Sequence, residues 1–303
     1  MIATASVNVV RITNDEDRKG VMRLWKLIKD AVMNFIADGA LSQGAAIAYY
    51  TIFSIAPVLV IAIAVTGLAF GQEAAQGAIV GELGALMGQQ SADAIQAMIK
   101  SAGNHRSGTI ATILGIGTLI LTASGVFGQM QSALNLIWKA EPKAGVSRLV
   151  KTRVASLGLV AALGFLLMVS LVVSAALSAL DSYLNGILPG VHLLLELANF
   201  VVSLALIALL FAAIYKVLPD KPIAWRDVVA GAVVTSILFT IGKSLIGFYI
   251  GHSNVASSYG GAGAFVIVLL WIYYSSQIFL LGAEFTHVYA ETHGSHAAPA
   301  GGS

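Results

Sequence analysis

The sequence predicts an all-α, polytopic membrane protein: a six-transmembrane-helix bundle with a cytoplasmic amphipathic N-terminal helix and short outer-loop helices. Three observations carry that expectation. Six long apolar stretches divide the chain, only 11% of its residues are charged, and its mean hydropathy is +0.85. A soluble domain needs about 25% charged residues to dress its surface, so lipid is the main solvent here. The basic residues are also held almost entirely in alternate connections between the stretches.

Taken in order, residues 1–38 form a cytoplasmic segment. Val21, Leu24, Trp25, Ile28, Val32, Phe35 and Ile36 recur in it at helical spacing, with lysines and arginines between them. That pattern predicts a helix lying on the membrane surface, either as a strut or as a dock for anionic lipid or a partner. Residues 39–290 form the transmembrane domain, with spans at about 45–70, 109–137, 154–180, 197–218, 228–250 and 263–288. Each run is long enough to cross a hydrocarbon core, which takes about 20 helical residues. Backbone groups in lipid must be satisfied internally, and runs this long without alternation are helices. The first run starts too late and is too long for a cleavable signal peptide. Between the first two spans, Glu73–Arg106 reads as two short amphipathic helices over the outer mouth, with Ser91 capping the second. Residues 291–303, rich in Gly, Ala, Ser and His, read as a disordered tail.

Fourteen of the seventeen Lys and Arg residues fall on one side of this arrangement, against Lys100 and Arg106 on the other. The positive-inside rule then places both termini in the cytoplasm of a bacterial inner membrane. Trp138 and Trp225 stand beside loop charges, where interfacial anchors belong.

The chain has no cysteine, which excludes disulfides, thiolate catalysis and iron–sulfur clusters. Its formal net charge of +2 does not suggest a nucleic-acid partner. There is no Walker A or His-Glu-x-x-His pattern, and Gly251-His-Ser-Asn-Val255 lacks the closing glycine of a nucleophile elbow. The expectation is therefore a non-enzyme without metal or cofactor. Gly67-x-x-x-Gly71 and Gly247-x-x-x-Gly251 read as packing motifs.

Ionisable groups inside spans are the best functional leads, because burying one without a partner costs several kcal/mol. Lys243 stands 15 residues after Val228, about 22 Å along its helix. It either snorkels or holds an anionic solute or lipid group. Glu284 lies near the cytoplasmic end of the last span, too far in depth to be the natural partner of Lys243. Tyr273, Gln277 and Glu284 share one face of that span; Gln43, Tyr50 and Ser54 align on the first, Thr118, Thr122, Gly125 and Gln129 on the second, and Ser236, Thr240, Lys243 and Gly247 on the fifth. These faces meet either as a solvated cavity or as packing glue. The candidate path is Lys243, Glu284, Tyr273, Gln277, Gln129 and Tyr50.

Several segments resemble the YihY/BrkB family of inner-membrane proteins, once labelled ribonuclease BN. They are Leu41-Ser-Gln-Gly-Ala-Ala-Ile-Ala-Tyr-Tyr50, Ala123-Ser-Gly-Val-Phe-Gly-Gln129 and Ala133-Leu-Asn-Leu-Ile-Trp138. Tyr215-Lys-Val-Leu-Pro-Asp220, Trp225-Arg-Asp-Val228 and Gly242-Lys-Ser-Leu-Ile-Gly247 follow, then Leu270-Trp-Ile-Tyr-Tyr-Ser-Ser-Gln277 and Gly282-Ala-Glu-Phe285. The resemblance implies a six-helix membrane protein, sometimes proposed as a transporter. Metal-dependent RNA hydrolysis needs clustered His and carboxylate ligands, and the sequence offers no such cluster. The two readings carried forward are a transporter or lipid- and solute-handling protein, and a structural or assembly partner that transports nothing.

Overall fold

The computed structural model describes residues 22–103, 125–141, 146–184, 191–253, 258–259 and 262–295. Helices account for most of these residues, and no strand occurs among them. Helix α1 covers 22–37, α2 Ala40–Phe70, α3 Gln72–Met87, α4 Gln89–Gly103 and α5 125–137. Helix α6 covers Val146–Leu184, α7 Val191–Val217, α8 Trp225–His252 and α9 Gly263–Thr292.

Five helices are long and apolar enough to cross a bilayer, at Ala40–Leu68, Gly158–Leu180, Leu193–Val217, Trp225–Ile250 and Gly263–Thr292. They correspond to five of the six expected spans. The other, expected at 109–137, is helical over 125–137; its first part, with Thr118 and Thr122, lies outside the described residues. So do residues 1–21 and the tail from 296. Helix α6, at 39 residues, is about 58 Å long and outreaches a hydrocarbon core of about 30 Å. Arg148, Lys151 and Arg153 therefore stand on its first turns rather than in a loop.

Helix α9 is the centre of the packing: α8, α2 and α4 lie against it, α7 lies on α8, and α6 lies on α7 and α2. Apolar side chains also cover much of the outside. Val229, Val233, Ile237, Ile241, Leu245 and Phe248 form an exposed stripe along α8, at the spacing of one helix face. Water would penalise a patch of that size, whereas acyl chains match it.

Two glycines set the path of α2. Gly39 takes a left-handed conformation (φ 66°) and ends α1, its N–H donating to the Ile36 carbonyl. Gly71 (φ 85°) reverses the chain from α2 into α3, and the Cβ that Gly67 lacks would press on the Gln72 backbone at 3.2 Å. Gly67 and Gly71 thus build a turn rather than the helix–helix contact expected of them. Gly247 has nothing within 4 Å of its Cβ position, so it is not a close-packing site either.

The segment after α2 is two helices, but Ser91 does not cap the second. Helix α4 begins at Gln89, so Ser91 lies inside its first turn, fully buried, with an Oγ that finds no partner. Ala75 and Ile79 of α3 and Ala92, Ile95 and Ile99 of α4 are buried, and the last three repeat at helical spacing. On α1, Leu27 and Ala31 pack against Phe285 and Val288 of α9, while Trp25, Ile28, Val32 and Ile36 stay exposed.

Candidate functional site

Polar side chains gather at two levels on α9. At the upper level, Gln277 lies over Gly44 of α2, where a Cβ would overlap its Nε2. Glycine at 44 is what lets the amide reach the α2 backbone, and Nε2 donates toward the Leu41 carbonyl at 3.5 Å. Next to it, Gln129 of α5 donates to Gln43 of α2 at 3.0 Å. The Tyr50 ring passes 3.4 Å from the Cβ position of Gly125, and Tyr50 is itself 44% exposed. Tyr273, one turn above Gln277, is half-buried against the core. The structure therefore brings Gln277, Gln129 and Tyr50 to the wall of one helix, α2.

The lower level sits at the end of α9. Glu284 is 0% exposed, and among the described residues no donor reaches either carboxylate oxygen. The charged groups that act on it from other elements are the Asp38 carboxylate at the end of α1 and the exposed Lys139 after α5. His287, three residues on, is buried with Nε2 3.2 Å from the half-exposed Glu291 carboxylate. Its ring meets Trp138 edge-on at 5.1 Å, and its Nδ1 has no partner. Glu284, His287 and Glu291 follow the three-then-four spacing of one helix face, leading from the interior to the surface.

Local chemistry holds this level in place. Helix α5 ends with Lys139 at φ 48°, and the Ala140 N–H reaches back to the Asn135 carbonyl at 2.9 Å, which turns Trp138 inward. Trp138 is consequently 1% exposed, a core residue and not the interfacial anchor its sequence position suggests. Trp225 does stay exposed, with Lys216 over its ring at 5.3 Å. Asn135 donates to Asp220 at 2.6 Å and accepts from the Asp220 N–H at 2.9 Å, tying α5 to the α7–α8 turn. Lys221 of that turn donates to the Trp138 carbonyl at 3.3 Å.

Between α8 and α9 the backbones approach closely. A Cβ on Gly231 would overlap Thr286, and one on Gly282 would overlap Thr235 and the Tyr215 hydroxyl. Buried Tyr215 donates to the Phe279 carbonyl at 2.7 Å, and Thr235 donates to the Gly231 carbonyl at 2.7 Å. Asp227, in the first turn of α8, accepts from the Ser295 N–H at 3.1 Å and hydroxyl at 2.6 Å, which ties the chain after α9 to the start of α8.

Lys243 joins neither level. It is half-buried on α8, with no hydrogen bond or ion pair among the described residues. The hydroxyls aligned with it are satisfied within their own helix, Ser236 to the Val233 carbonyl and Thr240 to that of Ser236. Among the described residues no group of three His, Cys, Asp or Glu side chains could hold a metal ion.

The family model described as Virulence factor BrkB matches residues 31–302, most of the chain. The chain belongs to that family. A UPF0761 membrane protein of Alcanivorax borkumensis is 31% identical over 84% of this chain and 58% of its own length. One from Pseudoalteromonas translucida is 30% identical over 79% and 78%, and one from Pseudomonas aeruginosa is 29% identical over 82% and 59%. The chain thus spans about three fifths of the length of two of these three relatives. No solved structure matches it. This BrkB-family chain is an integral membrane protein of apolar helices.

Sequence reasoning on this BrkB-family chain passed over Asp38, His287, Tyr215 and Thr235. The Glu284, His287, Glu291 spacing was a readable signal, since it places three titratable groups on one helix face. The nearness of Asp38 was not readable, because it depends on how α1 folds back onto α9.

Proposed function

We propose that the protein is a transporter of the bacterial inner membrane that moves an anionic solute or a lipid headgroup along the polar face shared by α2, α5 and α9. The observation that carries this reading is Glu284, fully buried, with no donor to either oxygen among the described residues. A buried, unsatisfied carboxyl group costs stability, and membrane proteins keep such groups where they handle ions or substrates. Lys243, a span cation without a partner among the described residues, is the candidate contact for the anionic group. In this reading residues 109–137 complete a sixth span, α1 lies on the cytoplasmic surface, and α3 and α4 cover the outer mouth. Both termini are cytoplasmic, no cofactor or nucleic acid takes part, and no covalent chemistry is performed.

The second reading is a structural or assembly partner that transports nothing. The closed α8–α9 seam at Gly231 and Gly282 favours it, since helices packed that tightly leave little room to separate. Sealed liposomes containing only this protein discriminate the two. Transport predicts uptake of an anionic solute, or movement of anionic lipid between leaflets, above that of empty liposomes. Rates equal to those of empty liposomes for every anion and lipid tried favour the second reading. Orientation is checked separately: reporter fusions after Ser182 and Ser253 should report the outer side, and a cytoplasmic signal from either contradicts the topology.

A further inference from the structure

Helix α1 presents three different faces. At about 100° per residue, Leu27 and Ala31 point one way and pack on Phe285 and Val288 of α9. Leu24, Ile28, Val32, Trp25 and Ile36 share an adjoining arc of about 120°, and all five are exposed, Trp25 to 67%. Arg23, Lys26 and Lys29 fall on the remaining side, with Asp30, Met22 and Met33. The three cations are exposed and make no ion pair among the described residues. A helix that only braced the bundle would need the first face alone, and water penalises the second. The height of α1 says what covers it. Gly39 joins α1 to α2, whose span begins at Ala40. Helix α9 has 30 residues, about 45 Å, against a hydrocarbon core of about 30 Å, so Phe285 and Val288 stand in its last turns at the core boundary. Both attachments hold α1 where acyl chains give way to headgroups.

We propose that α1 seats its apolar arc in the bilayer boundary and that Arg23, Lys26 and Lys29 select anionic phospholipid over zwitterionic phospholipid. The arc meets acyl chains, and Trp25 carries the amphipathic ring that favours this depth. The lysine and arginine stems lead their charges outward to the phosphate level. Three cations against the single Asp30 carboxylate leave that side positive. A second copy of the chain seated on the arc would bring the same cations together, whereas an anionic headgroup neutralises them. Each lysine or arginine at an anionic surface strengthens association about fivefold, and salt screens the attraction. This goes beyond the transport reading, because it assigns a ligand to the N-terminal helix and requires no solute to move. Only the choice of the cytoplasmic leaflet rests on the orientation proposed above.

The native chain has no cysteine, so single cysteines report on α1 in the full-length protein. Val32→Cys on the apolar arc and Lys26→Cys on the basic side are each labelled with a small fluorophore. The protein is placed in phosphatidylcholine nanodiscs containing brominated phosphatidylglycerol, or the same fraction of brominated phosphatidylcholine. The label at 32 should be quenched by brominated lipid and shielded from aqueous iodide, and the label at 26 should show the reverse. At 32, brominated phosphatidylglycerol should quench more strongly than brominated phosphatidylcholine. Adding Lys29→Gln should cut that preference by up to about fivefold, and Arg23→Gln, Lys26→Gln and Lys29→Gln together should abolish it. Every substituted side chain is exposed, so the variants should fold as the wild type does. Iodide quenching at 32, or shielding from iodide and lipid alike as a second copy on this face would give, overturns the proposal. Equal quenching by the two lipids, or a preference that survives the triple substitution, overturns it too. Quenching needs no transport, so vesicles that take up no solute would count against the transport reading and leave this result standing.

Discussion

Gln277 and Glu284 stand two turns apart on α9, and the bundle treats them differently. Around Gln277 the polar groups are amides: Gln129 bonds Gln43, Gln277 reaches the Leu41 carbonyl, and the neighbouring Tyr50 opens to the outside. Around Glu284 the polar groups are ionisable, the helices are closer, and the acid is sealed in without a donor. The Gln129–Gln43 amide pair stabilises helix association by a modest amount, while the buried Gln277 Oε1 is left without a partner among the described residues. A sealed carboxyl group with no donor among the described residues does the opposite. The upper level lines the proposed path with groups that also hold the helices together, and the lower level is kept for what it does.

The largest expected effect comes from filling the close seam of the lower level. Gly282→Ala drives its Cβ into Thr235 and the Tyr215 hydroxyl, and both are pinned by backbone hydrogen bonds. It should cost about 3 kcal/mol or more and lower the melting temperature in detergent sharply. Gly44→Ala is the matched change at the upper level. Its added methyl meets only the amide end of Gln277, which can swing aside, so its melting temperature should fall far less. Equal losses at the two glycines would erase the distinction between the levels.

A smaller effect belongs to the amide pair. The cycle built from Gln43→Ala and Gln129→Ala should give a coupling of about 0.6 kcal/mol, the size usual for hydrogen bonds between membrane helices. A coupling several times larger would make the upper level a structural linchpin. The smallest stability change is expected at Lys243, which touches no partner among the described residues. Lys243→Met should shift stability by no more than about 0.5 kcal/mol while reducing uptake of an anionic solute. Unchanged uptake would mean that Lys243 snorkels and takes no part.

The spans were plain in the sequence because lipid imposes a long, charge-free run on each crossing. Helices α3 and α4 were readable from the helical spacing of their apolar residues. What the sequence concealed was set by packing between distant segments. Trp138 looked like an anchor because it precedes a basic loop, and only the left-handed turn at Lys139 buries it. Gly247 matched a packing motif, whereas the glycines that admit a neighbouring helix include Gly44, Gly231, Gly242 and Gly282, none of them in a GxxxG pair. Glu284 and Gln277 stood out as polar residues in an apolar run. The carboxylate that acts on Glu284 from another element is Asp38, far away in the chain, and no periodicity links the two.

The central claim is that Glu284 is held for function at a cost to stability, and Glu284→Gln tests it most directly. The substitution keeps the shape and replaces a buried, unsatisfied acid by a neutral amide that can both donate and accept. The melting temperature of the full-length protein in detergent, measured beside uptake in sealed liposomes, reads both halves of the claim. The account predicts a melting temperature equal to or above that of the wild type, with uptake lost. A lower melting temperature with uptake intact would show that the acid is structural and would contradict it.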